Sequence, residues 1–263
     1  GGRALRKRAE TSGRRLKLAD WSDRHPDEAE AEAVRRAVYL SALAGCRLYI
    51  VHLSTGMACR GLRDLCREHD HVTVETTSPY LSIDKHHPAG FLAKMTPPFR
   101  AKGDRDVLWE GVREGLIETI GTDSAARSLN QKNPEGGVFG SKGAFPATET
   151  HFPVLLTEGY HRRGVPLHVL AARTSLGPAR AYGLYPKKGS LLPGADADLA
   201  LVDVNKSWKV NLKALHSRAG FSLYEGRTLK GKNVMTVKGG EGIFDRGKVL
   251  AEAGSGAYVR RSL

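Results

Sequence analysis

Two residues of kinds that bind metals and move protons stand at matching places in the sequence, His52 in "RLYIVHLST" and Asp123 in "TIGTDS". Each comes at the end of a short run of strand-forming residues. Imidazole nitrogen and carboxylate oxygen are the ligands of a hydrolytic zinc or similar divalent ion, which lowers the pKa of a bound water toward ~7 while a carboxylate moves the proton. A histidine bonded to a backbone carbonyl and an aspartate capping the next turn would use the same residues. Spacing alone leaves both interpretations open.

Three helix-to-strand units surround these residues and would position them. Each unit has apolar residues at helical spacing followed by a short apolar or β-branched run. Gly45 closes the first helix, and Asp104 is a possible cap of the third. The predicted helices cover residues 27–45, 56–70 and 103–115, and the predicted strands cover residues 47–54, 72–76 and 116–122.

Serial helix–strand units indicate parallel strands joined by helical crossovers, hence an α/β barrel or a doubly wound sheet. Ligands gather at the carboxyl ends of the strands in both folds, so we expect His52 and Asp123 to point into one pocket. Residues 155–185 are predicted to be helical in pieces. Beyond them, short strands separated by Gly and Asp predict a small β-rich module.

Length and composition limit the kinds of protein that this chain can be. The 263 residues suffice for one large domain or a medium and a small one, and no apolar run approaches the ~18 residues that cross a bilayer. The three cysteines fit a reducing, cytoplasmic compartment, with Cys59 and Cys66 as buried apolar residues on one helix face. The net charge of the chain is +13, and no aromatic residues alternate with its basic runs. This pattern favours a solvated basic surface over specific nucleic-acid binding.

Five segments carry a resemblance to a known family: "EAEAEAVRRAVYLSALAGCRLYIVHLST", "VTVETTSPYL", "KMTPPFRAKGDRDVLWEGVREGLIETIGTDS", "SLGPARAYGLYPKKGSLLPGADADLALVD" and "LHSRAGFSLYEGRTLKGK". They run in order from about residue 26 to about residue 250. Together they resemble the dihydropyrimidinase, hydantoinase and allantoinase branch of the cyclic amidohydrolases.

The resemblance implies a (β/α)₈ TIM-type barrel carrying a β-sandwich module, a binuclear zinc site, a cyclic amide or ureide substrate and a homo-oligomer, a tetramer in the family. The family's histidine on the sixth barrel strand falls on His52, as a metal ligand. Its aspartate after the eighth strand falls on Asp123, which would ligate one metal and carry the proton from the attacking hydroxide to the leaving nitrogen. The reaction implied is hydrolysis of a ring C–N bond.

Four of the family's six metal-binding residues have no counterpart in this sequence. The His-x-His pair of the first strand, the carboxylated lysine of the fourth and the histidine of the fifth all lie upstream of the matched region in relatives. We therefore expect residues 1–190 to form strands six to eight of the barrel with their helices, and residues 191–263 to form the sandwich module. The chain alone is expected to be inactive, and its open strand edges should favour self-association.

Departures from the family pattern affect the substrate. "SKGAFPATE" places Gly143 where relatives have a ring-binding asparagine, and "ETTSPY" replaces the usual "ETCPHY". We expect backbone groups at Thr76, Thr77 and Gly143 to bind the substrate ring, with altered ring specificity.

The other histidines and the tryptophans are interpreted as structural. His86 and His87 are expected in a surface loop, and the three tryptophans, never clustered, as packing anchors. Histidines without a strand-end position, treated as structural or exposed, are His151, His161, His168 and His216.

A second function class stays open at this stage. Dihydropyrimidinase-related proteins keep the fold, lose metal ligands and act as non-catalytic interaction proteins. Retention of His52 and Asp123 favours the enzyme.

Overall fold

Three short strands lie parallel in one sheet, in a computed structural model that describes residues 16–261 of the chain. They are β1 (Leu48–Ile50), β2 (Val72–Thr77) and β3 (Thr119–Gly121), in the order β1–β2–β3. Leu48 pairs with Val72, and Thr77 pairs with Gly121. The chain order equals the spatial order, so each crossover returns the chain to the neighbouring position.

The four longer helices of the described residues precede or separate these strands. They are α1 (Leu18–Asp23), α2 (Asp27–Ala44), α3 (Gly56–Glu68) and α4 (Lys102–Glu114). Helix α2 ends as predicted, with Gly45 in the left-handed conformation at φ 60°. Asp104 lies in the first turn of α4, not at its N-cap, and its carboxylate accepts a hydrogen bond from the Ala101 N–H at 3.1 Å.

The first strand is shorter than predicted. The chain leaves the sheet after Ile50, and His52 has a φ of 42°, which no strand residue adopts. The third strand likewise ends at Gly121, two residues before Asp123. Both candidate residues therefore lie in turns just beyond the strands rather than on them.

Apolar side chains of the sheet pack against the helices on one face. Ile50, Val74 and Ile120 belong to the buried core. Core residues of α2, α3 and α4 are Ala31, Val34, Val38, Ala58, Cys59, Leu62, Leu108, Trp109 and Val112. The opposite face carries Tyr49 and Glu75, which are half-buried. One face thus builds the core, and the other remains polar.

Short helical segments fill the chain between the two sheets, as predicted for residues 155–185. The α-helical ones are α5 (Gly137–Gly140), α6 (His151–Leu155), α7 (Leu167–Ala171) and α8 (Gly177–Ala181). Wider π-turns continue α6 over Leu156–His161 and α7 over Ala172–Leu176. Short 3₁₀ turns are Gly90–Ala93, Asn130–Lys132, Pro134–Gly136 and Leu212–Ala214.

The predicted β-rich module is a four-stranded antiparallel sheet. Its strands are β4 (Leu199–Lys209), β5 (Thr228–Lys238), β6 (Glu241–Asp245) and β7 (Lys248–Val249), in chain order. Leu229 of β5 is fully buried in the same core as the parallel sheet. Gly231 gives room for the Leu156 side chain, because a Cβ at this position would clash with it.

Cysteines and tryptophans largely follow the expectations. Cys59 is buried and free, and burial raises the pKa of its thiol to about 11, so it stays protonated; Cys66 is only half-buried. Trp109 is buried, while Trp21 and Trp208 pack against the core. No helix among residues 16–261 is long and apolar enough to span a membrane. The predicted domain from residue 1 begins outside the described residues.

Candidate functional site

The carboxyl ends of β1, β2 and β3 meet at one edge of the parallel sheet, called the mouth below. Backbone hydrogen bonds join the turns that leave the strands: the Leu53 N–H donates to the Glu75 carbonyl at 2.8 Å, and the Ser78 N–H donates to the Gly121 carbonyl at 3.0 Å. These bonds continue the sheet past its last strand residues. The turns that carry His52, Ser78 and Asp123 are therefore held side by side.

His52 and Asp123 share an unusual backbone conformation. Their φ values are 42° and 47°, in the left-handed region that non-glycine residues seldom occupy. Such residues cost ~1 kcal/mol or more each and persist only where the surroundings hold them, which happens most often at functional sites. The same strained conformation thus occurs just beyond the end of β1 and just beyond the end of β3.

The two side chains interact electrostatically. Removal of water around the Asp123 carboxyl raises its pKa, and the nearby His52 imidazole lowers that pKa in part. His52 is half-buried and Asp123 is exposed. The carboxyl group is thus near enough to the imidazole to be affected by its charge, while it remains open to solvent.

This pair supplies nitrogen and oxygen donors suited to a zinc-like ion but does not complete a site. Within residues 16–261, no cluster of three or more His, Cys, Asp or Glu side chains could hold a metal ion. Catalytic zinc sites take three protein ligands and keep one position open. His52 and Asp123 fit as two members of such a ligand set, and the described residues do not complete it.

The three residues predicted to bind substrate are placed near the mouth or on an adjacent loop. The Thr76 hydroxyl donates to the Leu53 carbonyl at 2.7 Å, and the Thr77 hydroxyl accepts from the Tyr80 N–H at 3.4 Å. The Gly143 carbonyl accepts a hydrogen bond from the Arg127 guanidinium at 3.1 Å. A substrate role for these residues remains a prediction.

A buried ion network anchors the turn that carries His52. The Glu30 carboxylate accepts hydrogen bonds from the Ser54 N–H at 2.6 Å and the Thr55 N–H at 3.2 Å. Arg100, which is buried, pairs with Glu30 and with Asp27, each at 2.9 Å, and donates to the Ser54 hydroxyl at 3.0 Å. The start of α2 thereby fixes the residues that follow His52.

His151 has a contact that the sequence did not reveal. Its Nδ1 lies 2.8 Å from the Ser78 hydroxyl, just beyond the end of β2. Burial lowers the pKa of His151 to about 4, so its imidazole is neutral at pH 7. His151 thus contacts a residue at the mouth, and its structural role stays a prediction. It follows no strand, so no strand-end signal marked this contact.

A second feature missed in the sequence is a cationic clasp, defined here as Lys94, Arg127 and Lys132. The Lys94 ammonium donates to the Phe139 and Ser141 carbonyls at 3.0 and 2.6 Å. The Lys132 ammonium donates to the carbonyls of residues 142 and 144 at 2.8 and 2.9 Å. Together with the Arg127 bond to Gly143, the clasp binds five backbone carbonyls of the loop over residues 139–144. Lysines in polar segments usually indicate surface, so nothing in the sequence signalled this burial.

The clasp predicts a specific dependence of stability on pH. Burial, with the charges of Lys94 and Arg127, lowers the pKa of Lys132 to about 8 from an ordinary value of 10.5. Between these values the unfolded chain binds more protons than the folded chain, so stability rises with pH across this window. We expect the free energy of unfolding of the wild type, relative to Lys132→Met, to rise by roughly 2–3 kcal/mol between about pH 7.5 and 10.5.

Urea unfolding of both proteins at the two pH values measures this difference. Lys142→Met is the matched control, because Lys142 is an exposed lysine in the same loop. The wild type and this control should change alike with pH. An equal pH dependence in all three proteins would show that Lys132 titrates normally.

Comparison with known proteins places this arrangement in a family. The model of the amidohydrolase family matches residues 96–241, which is more than half of the chain. The chain therefore belongs to the amidohydrolase family. Within it, the chain is 35% identical over 242 residues to the D-phenylhydantoinase of Escherichia coli strain K12 / DH10B, covering 90% of this chain and 52% of that protein.

Solved structures give the same result for the whole fold. A dihydropyrimidinase from Brevibacillus agri NCHU1002 superposes with a TM-score of 0.91 at 29% identity, over 99% of this chain and 58% of that one. An L-hydantoinase (dihydropyrimidinase) from Arthrobacter aurescens does so with a TM-score of 0.89 at 30% identity, over 95% of this chain and 56% of that one. The mixed α/β fold is that of these enzymes, and the chain spans about half the length of the relatives it matches.

Proposed function

We propose that this chain is the carboxyl-terminal part of a metal-dependent cyclic amidohydrolase of the hydantoinase type. The observation that carries the proposal is that His52 and Asp123, both at φ near 45° and electrostatically coupled, follow the ends of β1 and β3 at one edge of a sheet whose fold is shared with dihydropyrimidinase. The substrate class is a cyclic amide or ureide. The identity of the relatives, two D- or L-hydantoinases among them, supports this class.

The proposal extends to architecture. Strands β1 to β3 would be strands six to eight of a (β/α)₈ barrel over residues 1–190, and residues 191–263 would form the sandwich module. The chain order of the parallel strands supports the first assignment, and the separate antiparallel sheet supports the second. By the same family resemblance, we assign the whole protein a tetramer, a cytoplasmic location and two zinc ions.

In the reaction, His52 would hold the metal, and Asp123 would both hold it and carry a proton. The bound metal would polarise the ring carbonyl and activate water. Water adds to the carbonyl carbon, the ring C–N bond breaks, and Asp123 passes the proton of the water to the leaving nitrogen. Thr76, Thr77 and Gly143 would orient the ring through backbone groups, and the clasp would fix the loop that carries Gly143.

A chimera tests the proposal. The matching 242-residue stretch of the E. coli D-phenylhydantoinase is replaced by that of this chain, so that the relative supplies the upstream residues. We expect ring opening of phenylhydantoin that is lost with a chelator and restored by zinc, and no turnover by the 263-residue chain alone. His52→Ala in the chimera is the negative control. A folded, zinc-loaded chimera without turnover on any cyclic amide would instead favour a non-catalytic interaction protein.

A further inference from the structure

A polar belt crosses the parallel sheet on the face away from the helices, just below the mouth. We define it as Tyr49, Glu75 and Thr119, one residue from each strand. The Tyr49 hydroxyl donates to Glu75 Oε2 at 2.8 Å and lies 2.8 Å from the Thr119 hydroxyl. Burial and the Glu75 carboxylate raise the pKa of Tyr49, so its phenol stays protonated as a donor.

The second oxygen of Glu75 reaches the candidate metal ligand. The His52 backbone N–H donates to Glu75 Oε1 at 3.2 Å. The next residue is held by the same strand, because the Leu53 N–H donates to the Glu75 carbonyl and the Leu53 carbonyl accepts from the Thr76 hydroxyl. Two consecutive residues of β2 thus hold the turn at three backbone atoms.

Gly121 makes room for this carboxylate. A Cβ at Gly121 would lie 3.1 Å from both Cδ and Oε2 of Glu75, tighter than side chains normally pack. The φ of Gly121 is not in the left-handed region. A glycine is therefore needed here because it lacks a Cβ, not because of its backbone conformation. The third strand therefore leaves space for the Glu75 carboxylate at Gly121.

We propose that Glu75 is a positioning residue for His52. Its carboxylate holds the backbone N–H of a residue whose φ of 42° is unfavourable and needs external support. Fixing this backbone would limit the positions that the His52 imidazole can take. Both oxygens of Glu75 accept hydrogen bonds from protein donors, so we assign it a role that acts through His52. The consequence for metal binding rests on the proposed function.

Amide hydrogen exchange in the 263-residue chain tests the positioning itself. In Glu75→Ala we expect the His52 amide to exchange at least ~10-fold faster than in the wild type, because its acceptor is gone. In Glu75→Gln, which keeps an acceptor oxygen, the change should stay below ~3-fold. Rates are normalised to the amides of β1, which report overall opening of the sheet.

Tyr49→Phe is the matched control. It removes the hydroxyl bonds of the belt but leaves the His52 N–H on Glu75. The normalised exchange of the His52 amide should then be unchanged. An unchanged rate in Glu75→Ala, or equal acceleration in Tyr49→Phe, would overturn the proposal.

The affinity of the chimera for cobalt(II) is a second test of the positioning role of Glu75. Residues that hydrogen-bond to a metal ligand and orient it typically contribute 10–100-fold to the affinity for the metal. We therefore expect cobalt affinity to fall by about this factor in Glu75→Ala and by a smaller factor in Glu75→Gln. It should not change in Tyr49→Phe. A wild-type chimera that binds no cobalt would contradict the proposed function, while the amide exchange would still decide the role of Glu75. Equal cobalt affinity in all variants would overturn the positioning role.

Discussion

Replacing Asp123 by asparagine in the chimera is expected to lower kcat for phenylhydantoin by at least ~10³-fold, because a positioned acid–base group contributes 10²–10⁴-fold and this one is also proposed to bind the metal. The amide has the size of the carboxylate but neither its charge nor its ability to accept the proton. Initial rates at saturating substrate measure the effect. Metal content is determined for the same samples, so that loss of the ion is separated from loss of the base.

Asp64→Asn is the matched control for this substitution. Asp64 is an exposed carboxylate on α3, paired only with the exposed Arg67. It should leave kcat unchanged. A metal-loaded Asp123→Asn chimera with kcat within tenfold of the parent would remove the proton-carrying role from Asp123.

Arg100→Met is expected to reduce the free energy of unfolding of the chain by ~3–5 kcal/mol at pH 7. Methionine keeps much of the volume, but the Glu30 carboxylate, only 12% exposed, then has no cation while it still accepts hydrogen bonds from the Ser54 and Thr55 N–H groups. A buried charge left alone costs far more than the pair contributes. Urea unfolding measures the change, and the slope with denaturant shows whether the folded state stayed compact.

Two further variants identify the cause of this loss. Arg36→Met removes an exposed partner of Glu32 on the same helix and should cost less than ~1 kcal/mol. Arg100→Met combined with Glu30→Met should recover a large part of the stability, because no unpaired charge remains. A loss in Arg100→Met no larger than in Arg36→Met would show that the network is not important for folding.

The sequence predicted the elements that depend on periodicity and capping. Helix α2 ends at Gly45, and β2 runs to Thr77, one residue beyond the predicted strand. The turn at His52 was not predictable in this way, because hydrophobic pattern carries no information on a positive φ at a strand end. The resemblance led to the right family, and the family match confirmed it.

What the sequence could not predict depends on contacts between distant segments. Glu75 and Tyr49 are 26 residues apart, and His151 and Ser78 are 73 apart. Each of these side chains looks like an ordinary polar residue in its own segment. Only the tertiary fold gives the carboxylate its second hydrogen bond, to His52, or gives the lysines of the clasp their carbonyls.

The contact between Leu156 and Gly231 limits which parts of the fold related proteins could exchange by recombination. Leu156 belongs to the helical segment before the antiparallel sheet, and its side chain occupies the space that a Cβ at Gly231 would take. Beside it, the buried Glu158 pairs with Arg227 from the far side of the same boundary. Recombination between relatives that exchanged one sheet without the other would separate these matched residues. The antiparallel sheet is therefore not an independently exchangeable module. Related proteins should conserve or change these four residues together: Leu156, Glu158, Arg227 and Gly231.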